Sequence, residues 1–285
     1  MGSVIRLARI RQIRFCSRWL RRLSATPAVF SMIKIIRQLP VARDVLHAVS
    51  GYNRIFPTLN DATAAASGYE GGGHYNPNYL KVKIPEADRA RPGDYAALFY
   101  MQQNLSHISS VFDLGGNVGN LFYCYLKYLA ISPEFTWMVY DLPKTIAAGE
   151  QIAKERHETR LRFTNQLRDA DGADLFITSG SLQYFQQSLP DMIGGFSKKP
   201  RYVLINREPL IDAPTCATVV DGETYRLASV LHDRRELIRG LQALEYEIVD
   251  SWQIPERSLV VPCYPDRSAH CYSGMFLRRK SIDDV

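Results

Sequence analysis

A chain of 285 residues that is 46% hydrophobic and 11% aromatic can bury one large α/β domain with an extension, or two small domains, and its composition excludes a disordered or low-complexity protein. The net charge of +6 suggests nucleic-acid binding until it is located: ten Lys or Arg and no Asp or Glu lie between Met1 and Arg43, so the excess belongs to the N-terminus and the remainder is mildly acidic. Cys16, Cys124, Cys216, Cys263 and Cys271 form no CxxC pair and meet no histidine at metal-ligand spacing, so reduced thiols and no metal centre are expected.

Residues 1–43 form a basic segment. On a helical reading Ile10, Ile13, Leu20 and Leu23 share parts of one face with Phe15 and Trp19 beside it, the pattern of an interfacial helix attracted to anionic lipid, although the arginines do not segregate cleanly. An organellar transit peptide, an arm for a partner, and a true start at Met32 are the competing readings. No apolar run reaches the roughly 18–20 residues that span a bilayer, and arginines interrupt every apolar stretch near the start. A cytoplasmic protein, with peripheral membrane contact as an option, is expected.

Residues 44–107 read as a helical cap or lid. Pro40 and Pro57 punctuate its start, an alanine-rich helix occupies 62–69, and the polar-aromatic stretch 70–79, with His74, reads as a mobile loop or lid. A further helix runs from Asp94 to Leu105.

From residue 108 to 285 strand and helix alternate with short connections, the pattern of a doubly wound, Rossmann-like α/β sheet. Strands are expected at 110–114, 135–140, 161–165, 174–178 and 201–206, with helices at 120–130 and 145–156. A polar insertion containing His232 follows the fifth strand, then an amphipathic helix from Arg234 to Leu244 with Asp233 as its N-cap. Two last strands, 246–252 and 271–278, have no helix between them, so they close the sheet as a hairpin.

Chemistry concentrates where the first strand breaks into Asp113-Leu114-Gly115-Gly116-Asn117-Val118-Gly119. Glycine lets the backbone turn sharply and lets a ligand approach it, but such a turn alone is weak evidence. Asp141, 22 residues beyond Gly119 at the end of the second strand, stands close to the roughly 20-residue offset of an acid that meets ribose hydroxyls. Its plainer reading is a cap on the helix beginning near Pro143. No Gly-Lys-Ser/Thr follows the turn, which excludes a P-loop. An acid two residues before the first glycine would repel a pyrophosphate and attract a sulfonium or ammonium.

Asp113 through Gly119 resembles the first motif of class I S-adenosylmethionine-dependent methyltransferases, Asp/Glu-x-Gly-x-Gly-x-Gly, with Asn117 in the middle glycine slot; Asn is the non-glycine residue most tolerant of a left-handed backbone. Asp141-Leu142-Pro143 is similar to the second motif, and 179–185 to the segment that flanks the cofactor after strand four. More narrowly, residues 68–279 are similar to a methyltransferase family of bacterial surface-polysaccharide and related biosynthetic gene sets. The resemblance implies a seven-stranded sheet with an antiparallel last strand, S-adenosylmethionine as cofactor and methyl transfer. Carried over, it implies that Asp113, Gly115, Gly116, Asn117 and Gly119 hold the methionine part and Asp141 the ribose, that Leu142 packs on the adenine, and that Ser179, Gly180 and Gln183 flank the cofactor. Asn165 or Gln166 stands where the family often has an acid for the adenine amino group.

For the acceptor, Gln183, Tyr184, Arg207 and His74 are candidates to line the approach. A hydroxyl acceptor needs a general base within hydrogen-bond reach, and His232, Glu208, His107 and His74 are the candidates. His232 with Asp233 reads equally as the entry to a helix, and Arg207 and Glu208 as a surface pair. A small-molecule or saccharide acceptor is expected. Nucleic acid is disfavoured, since Ser179-Gly180-Ser181-Leu182 stands where an enzyme acting on flipped bases carries an Asn-Pro-Pro-Tyr-type motif. A cofactor-binding protein without chemistry and an NAD-dependent oxidoreductase are the alternatives. Oligomeric state is not readable.

Overall fold

A computed structural model describes residues 55–67, 89–221, 226–261 and 264–280, with isolated positions 28, 32, 35 and 39. Apart from those isolated positions the basic segment, and with it the loop with His74, therefore lies outside the described residues. Within them the elements are α1 (Leu59–Ser67), α2 (Tyr95–Gln103), β1 (Ser110–Leu114), α3 (Asn120–Tyr125), β2 (Thr136–Tyr140), α4 (Pro143–Glu155), β3 (Leu161–Thr164), β4 (Leu175–Ser179), α5 (Leu189–Gly194), β5 (Tyr202–Glu208), β6 (Cys216–Asp221), β7 (Arg226–Leu231), α6 (Arg234–Ala243), β8 (Tyr246–Ile254) and β9 (Tyr272–Arg279).

Seven strands form one sheet in the order β3-β2-β1-β4-β5-β9-β8. The pairs from β3 to β5 are parallel, and β9 runs antiparallel to both β5 and β8. This is the doubly wound sheet with an antiparallel last strand expected from the sequence. Its parallel strands are apolar on both faces because helices cover both. Val111, Trp137, Leu175, Leu204 and Phe276 face one core with Leu98 and Met101 of α2 and Phe122 of α3. Their neighbours along the strands, Phe112, Phe176, Val203, Ile205 and Leu277, face the other core with Met192 of α5 and Leu237 and Leu241 of α6.

The reversal of strand order beside β1 opens a crevice at the carboxyl ends of β1 and β4, where doubly wound sheets take ligands. The segment leading into α2, with Arg89, Arg91 and Asp94, lines one side, and α2 anchors it. Its Tyr100 ring stacks on Phe276 and Trp252, with centroids 5.0 and 6.0 Å apart, and its hydroxyl donates to Asp250 at 2.6 Å. These contacts fix the helix entrance over β5, β9 and β8.

Two expectations need correction. The helix after the glycine turn ends at Tyr125, short of residue 130, with turns beyond it. The polar insertion after β5 is instead an ordered antiparallel hairpin, β6–β7, with Ala217, Val219 and Ala228 packed on Ala62 and Ala66 of α1. Its polar pair Thr218 and Ser229 is fully buried.

Candidate cofactor and acceptor cleft

The crevice is a cavity of about 220 Å³. Its floor is the turn after β1. Gly115 takes φ 70° and its amide donates to the Tyr140 carbonyl at 2.8 Å; a Cβ there would stand 2.5 Å from the Ser181 Cβ, so only glycine lets these two strand ends close together. Gly116 lies over the Asp113 carboxylate, where a Cβ would stand 2.4 Å from Oδ2. Asn117 has the left-handed backbone expected of it, φ 57°.

Two carboxylates dominate this floor. Asp113 is 1% exposed and accepts from the Trp137 indole Nε1 at 3.1 Å. Burial pushes its carboxyl up to about 7, against the indole bond, and the neighbouring Asp141 charge adds to the rise. Asp141 accepts from the amides of Asn117 (2.9 Å) and Leu142 (2.7 Å). Burial raises its pKa against those bonds and one from Thr145. Among the described residues no cation lies within salt-bridge distance of either acid.

The wall above β4 and β5 has its own network. Glu208, 1% exposed, gathers three donors on Oε1: the Thr178 hydroxyl (3.1 Å) and the amides of Ser181 (2.9 Å) and Leu182 (3.0 Å). Its Oε2 is buried with no partner among the described residues, and burial pushes the carboxyl up to about 7 against the amide bonds. The Ser181 hydroxyl donates to the Leu114 carbonyl, so the turn after β4 is pinned to both β1 and β5. Arg207, at the irregular end of β5 with φ 55°, donates from Nε to the Ser179 hydroxyl at 3.0 Å and lies 3.6 Å from Asp94 Oδ1. Asn206 also donates to Asp94 Oδ1, at 3.2 Å.

Asp113, Gly115, Gly116, Asn117, Asp141, Leu142, Ser179, Gly180, Tyr184 and Arg207 are thus brought together as cleft lining. Others among the sequence candidates are not. Gly119 faces Leu161, 2.6 Å from where its Cβ would be; Asn165 is exposed and bonded to Gln166 (3.0 Å); Gln183 is buried, its Oε1 accepting from Ser229 at 3.3 Å. His107 is exposed in the turn between α2 and β1, outside the lining. His232 is 7% exposed outside the lining, its Nε2 3.3 Å from the Leu182 carbonyl, and burial holds its pKa below the usual imidazole range. Asp233 caps α6, accepting from the Arg235 amide at 2.8 Å, as the plainer reading of that pair expects. Glu208 does not line the cleft either, and it makes no surface pair with Arg207.

The sequence reading missed Arg89, Arg91, Asp94, Thr145 and Arg257, all of which line the cleft, and Ser181 and Phe185 of the 179–185 segment line it too. Asp94 follows a Pro-Gly turn and reads as an ordinary helix start. Arg257 sits in a loop without any pattern, and only the pairing of β8 with β9 carries it to the crevice. No group of three or more potential metal ligands occurs among the described residues, and no helix among them is long and apolar enough to cross a membrane.

No protein-family model matches the chain, and no curated protein does. Among solved structures the chain is similar to mitomycin 7-O-methyltransferase, at 17% identity and TM-score 0.43, over 78% of this chain and 61% of that one. It is also similar to the 1,6-didemethyltoxoflavin-N1-methyltransferase of Burkholderia thailandensis with bound 1,6-didemethyltoxoflavin and S-adenosylhomocysteine (17%, 0.44, 78% and 87%). The magnesium protoporphyrin IX methyltransferase of Synechocystis PCC 6803 with bound SAH is a third (11%, 0.45, 78% and 94%). The chain spans less than two thirds of the length of the first. At these scores the assignment of the fold rests on the strand order itself.

Proposed function

We propose that the chain is an S-adenosylmethionine-dependent methyltransferase acting on a small-molecule or saccharide acceptor, at oxygen. One observation carries the reading: Asp113 and Asp141, both without a countercharge within salt-bridge reach among the described residues, line the cleft beside a left-handed glycine turn at the carboxyl ends of β1 and β2. Such a floor suits a ligand that brings its own positive charge, and it is unsuited to a pyrophosphate, which argues against NAD. When bound, S-adenosylmethionine supplies an electrophilic methyl group on a sulfonium.

The residues fit that cofactor. Each Asp141 oxygen already accepts one amide and retains acceptor capacity for a ribose hydroxyl. Asp113 would face the ammonium and sulfonium end, the Gly115–Asn117 backbone would cradle the methionine part, and Leu142 would pack on the adenine. Ser179 and Gly180 would flank the cofactor, with Tyr184 and Arg207 toward the acceptor. The chain's remaining task is to align the acceptor and exclude water. His232 and Glu208 remain the candidate bases for a hydroxyl acceptor, and either would need the 180–184 turn to open.

Calorimetry with S-adenosylmethionine, S-adenosylhomocysteine and NAD tests the reading. Heat with the first two and none with NAD is expected; no heat with S-adenosylmethionine at millimolar concentration sinks the proposal. A binding protein without chemistry is the second reading, favoured by the lack of any histidine among the described residues of the cleft lining. It predicts cofactor binding with no S-adenosylhomocysteine formed against any pool of small-molecule acceptors.

A further inference from the structure

The charges that line the cleft are sorted by strand. Asp113 and Asp141 stand at the ends of β1 and β2, whereas four arginines against a single acid, Asp94, stand over the other half of the sheet: Arg207 at the end of β5, Arg89 and Arg91 on the segment leading into α2, and Arg257 after β8. The strand order separates the halves, since β4 lies between β1 and β5. Outside residues 1–43 the chain is mildly acidic, so four arginines on one wall run against its overall balance.

Of the neighbouring acids, Asp94 is paired with Arg207 of the same wall, and neither it nor Glu256 reaches Arg89 or Arg257. Asp94 Oδ1 meets Arg207 Nε (3.6 Å) and Asn206 Nδ2 (3.2 Å), and its Oδ2 accepts the Arg91 amide (2.9 Å). Glu256 accepts the Gly93 amide at 2.8 Å and does not line the cleft. Among the described residues no carboxylate lies within salt-bridge distance of Arg89 or Arg257.

The Gly93 and Arg257 segments of the wall are tied together, and Arg89 stands exposed at its rim. Gly93 packs so closely on Ile254 that a Cβ would stand 2.8 Å from Cγ2, and the Glu256 bond joins the same two segments. The Arg257 amide donates to the Ile254 carbonyl (3.2 Å), and its own carbonyl accepts from Tyr272 (3.0 Å). A guanidinium offers a planar fork of donors that matches a carboxylate or phosphate, and in a half-enclosed crevice its charge is less screened than on an open surface.

We infer that the acceptor carries an anionic group, a carboxylate or phosphate, seated on Arg89 and Arg257 with Arg207 behind them. This rests on the methyltransferase reading, because it takes the β5–β8 half of the cleft as the acceptor's side.

Calorimetry on the full-length chain saturated with S-adenosylhomocysteine tests it, with phenyl phosphate and benzoate as probes and benzamide as their neutral counterpart. Both anions should bind about tenfold more tightly than benzamide. The R89Q/R257Q double variant should abolish that preference, each single variant should reduce it about threefold, and R239Q, on the exposed face of α6, should leave it unchanged. S-adenosylhomocysteine affinity should stay within about twofold in all of them. Equal affinity for anion and amide in the wild type overturns the inference, as does a preference that survives in the double variant. A tenfold loss of S-adenosylhomocysteine in the double variant also overturns it, by giving the arginines to the cofactor's own carboxylate. If the wild type discriminates the probes through these arginines but binds no S-adenosylhomocysteine, the methyltransferase reading falls and an anion site without an acceptor role is left.

Discussion

The Asp141 carboxylate reaches back to the Asn117 amide, Oδ2 to N 2.9 Å, and so ties the end of β2 to the left-handed turn after β1. Asp141 therefore has two tasks: it holds the turn in shape, and it presents its remaining lone pairs to the cleft.

Asp141→Ala should lower S-adenosylhomocysteine affinity by about a hundredfold, some 2.7 kcal/mol, because turn and ribose contact are lost together. His232→Ala, outside the cleft lining, should leave that affinity within about twofold. Calorimetric titration of both variants decides; equal losses would mean that the pocket has been misassigned.

Gly116→Ala should be poorly tolerated for a steric reason. The added methyl would stand 2.4 Å from Asp113 Oδ2, and the buried carboxylate, bonded to Trp137, has little room to retreat. A destabilisation of about 1–3 kcal/mol, read from the urea midpoint, is expected along with weakened cofactor binding. A variant with unchanged midpoint and affinity would show that the turn is more pliable than its packing implies.

Asp113 should also impose a pH signature. Its carboxyl is raised from an ordinary value of about 3.9 to about 7, so between those values the folded chain binds more protons than the unfolded chain. Stability from this group is present below about pH 4 and lost as pH rises through about 7. Comparing wild type with Asp113→Asn isolates the group from the others that titrate. The wild type's melting temperature should fall relative to the variant between pH 5 and pH 8. Binding a cation should favour the ionised acid, so S-adenosylmethionine binding at pH 6 should release a proton, measurable as buffer-dependent heat. A pH-independent difference together with no proton release would contradict this account.

Glu208 supports the turn after β4 from below. Glu208→Ala leaves the buried Ser181 and Leu182 amides without their acceptor and should cost about 2–4 kcal/mol in urea unfolding. Glu208→Gln keeps a carbonyl oxygen in place and should retain most of that stability. If Gln preserves stability but abolishes methyl transfer with cofactor affinity intact, the carboxylate is a base as well as a brace.

Most of the fold was legible because a parallel sheet demands it locally. Runs such as Val111-Phe112 and Leu175-Phe176-Ile177 are apolar on both faces, and the breaks at Gly115 and Pro143 stop the strand and start the helix where a turn requires them. The β6–β7 hairpin escaped notice for the opposite reason. Thr218 and Ser229 make it look polar, yet they pair on the face of the hairpin opposite α1, and only the docking of that face on the turn after β4, where Ser229 donates to Gln183 at 3.3 Å, buries Ser229.

What the sequence by itself determined is the acidic, glycine-turn half of the cleft. Asp113, the glycine turn and Asp141 act through backbone conformation and short-range placement at strand ends, and both are written in consecutive residues. The other half was decided by the tertiary structure alone. Arg89, Arg207 and Arg257 are far apart in the chain, and it is the antiparallel return of β9 beside β5, with β8 outside it, that sets them on one wall. The same packing sends His232 away from the cleft and turns Glu208 inward beneath the turn after β4. Charge and burial at those positions depend on neighbours distant in sequence, so no local pattern could have announced them.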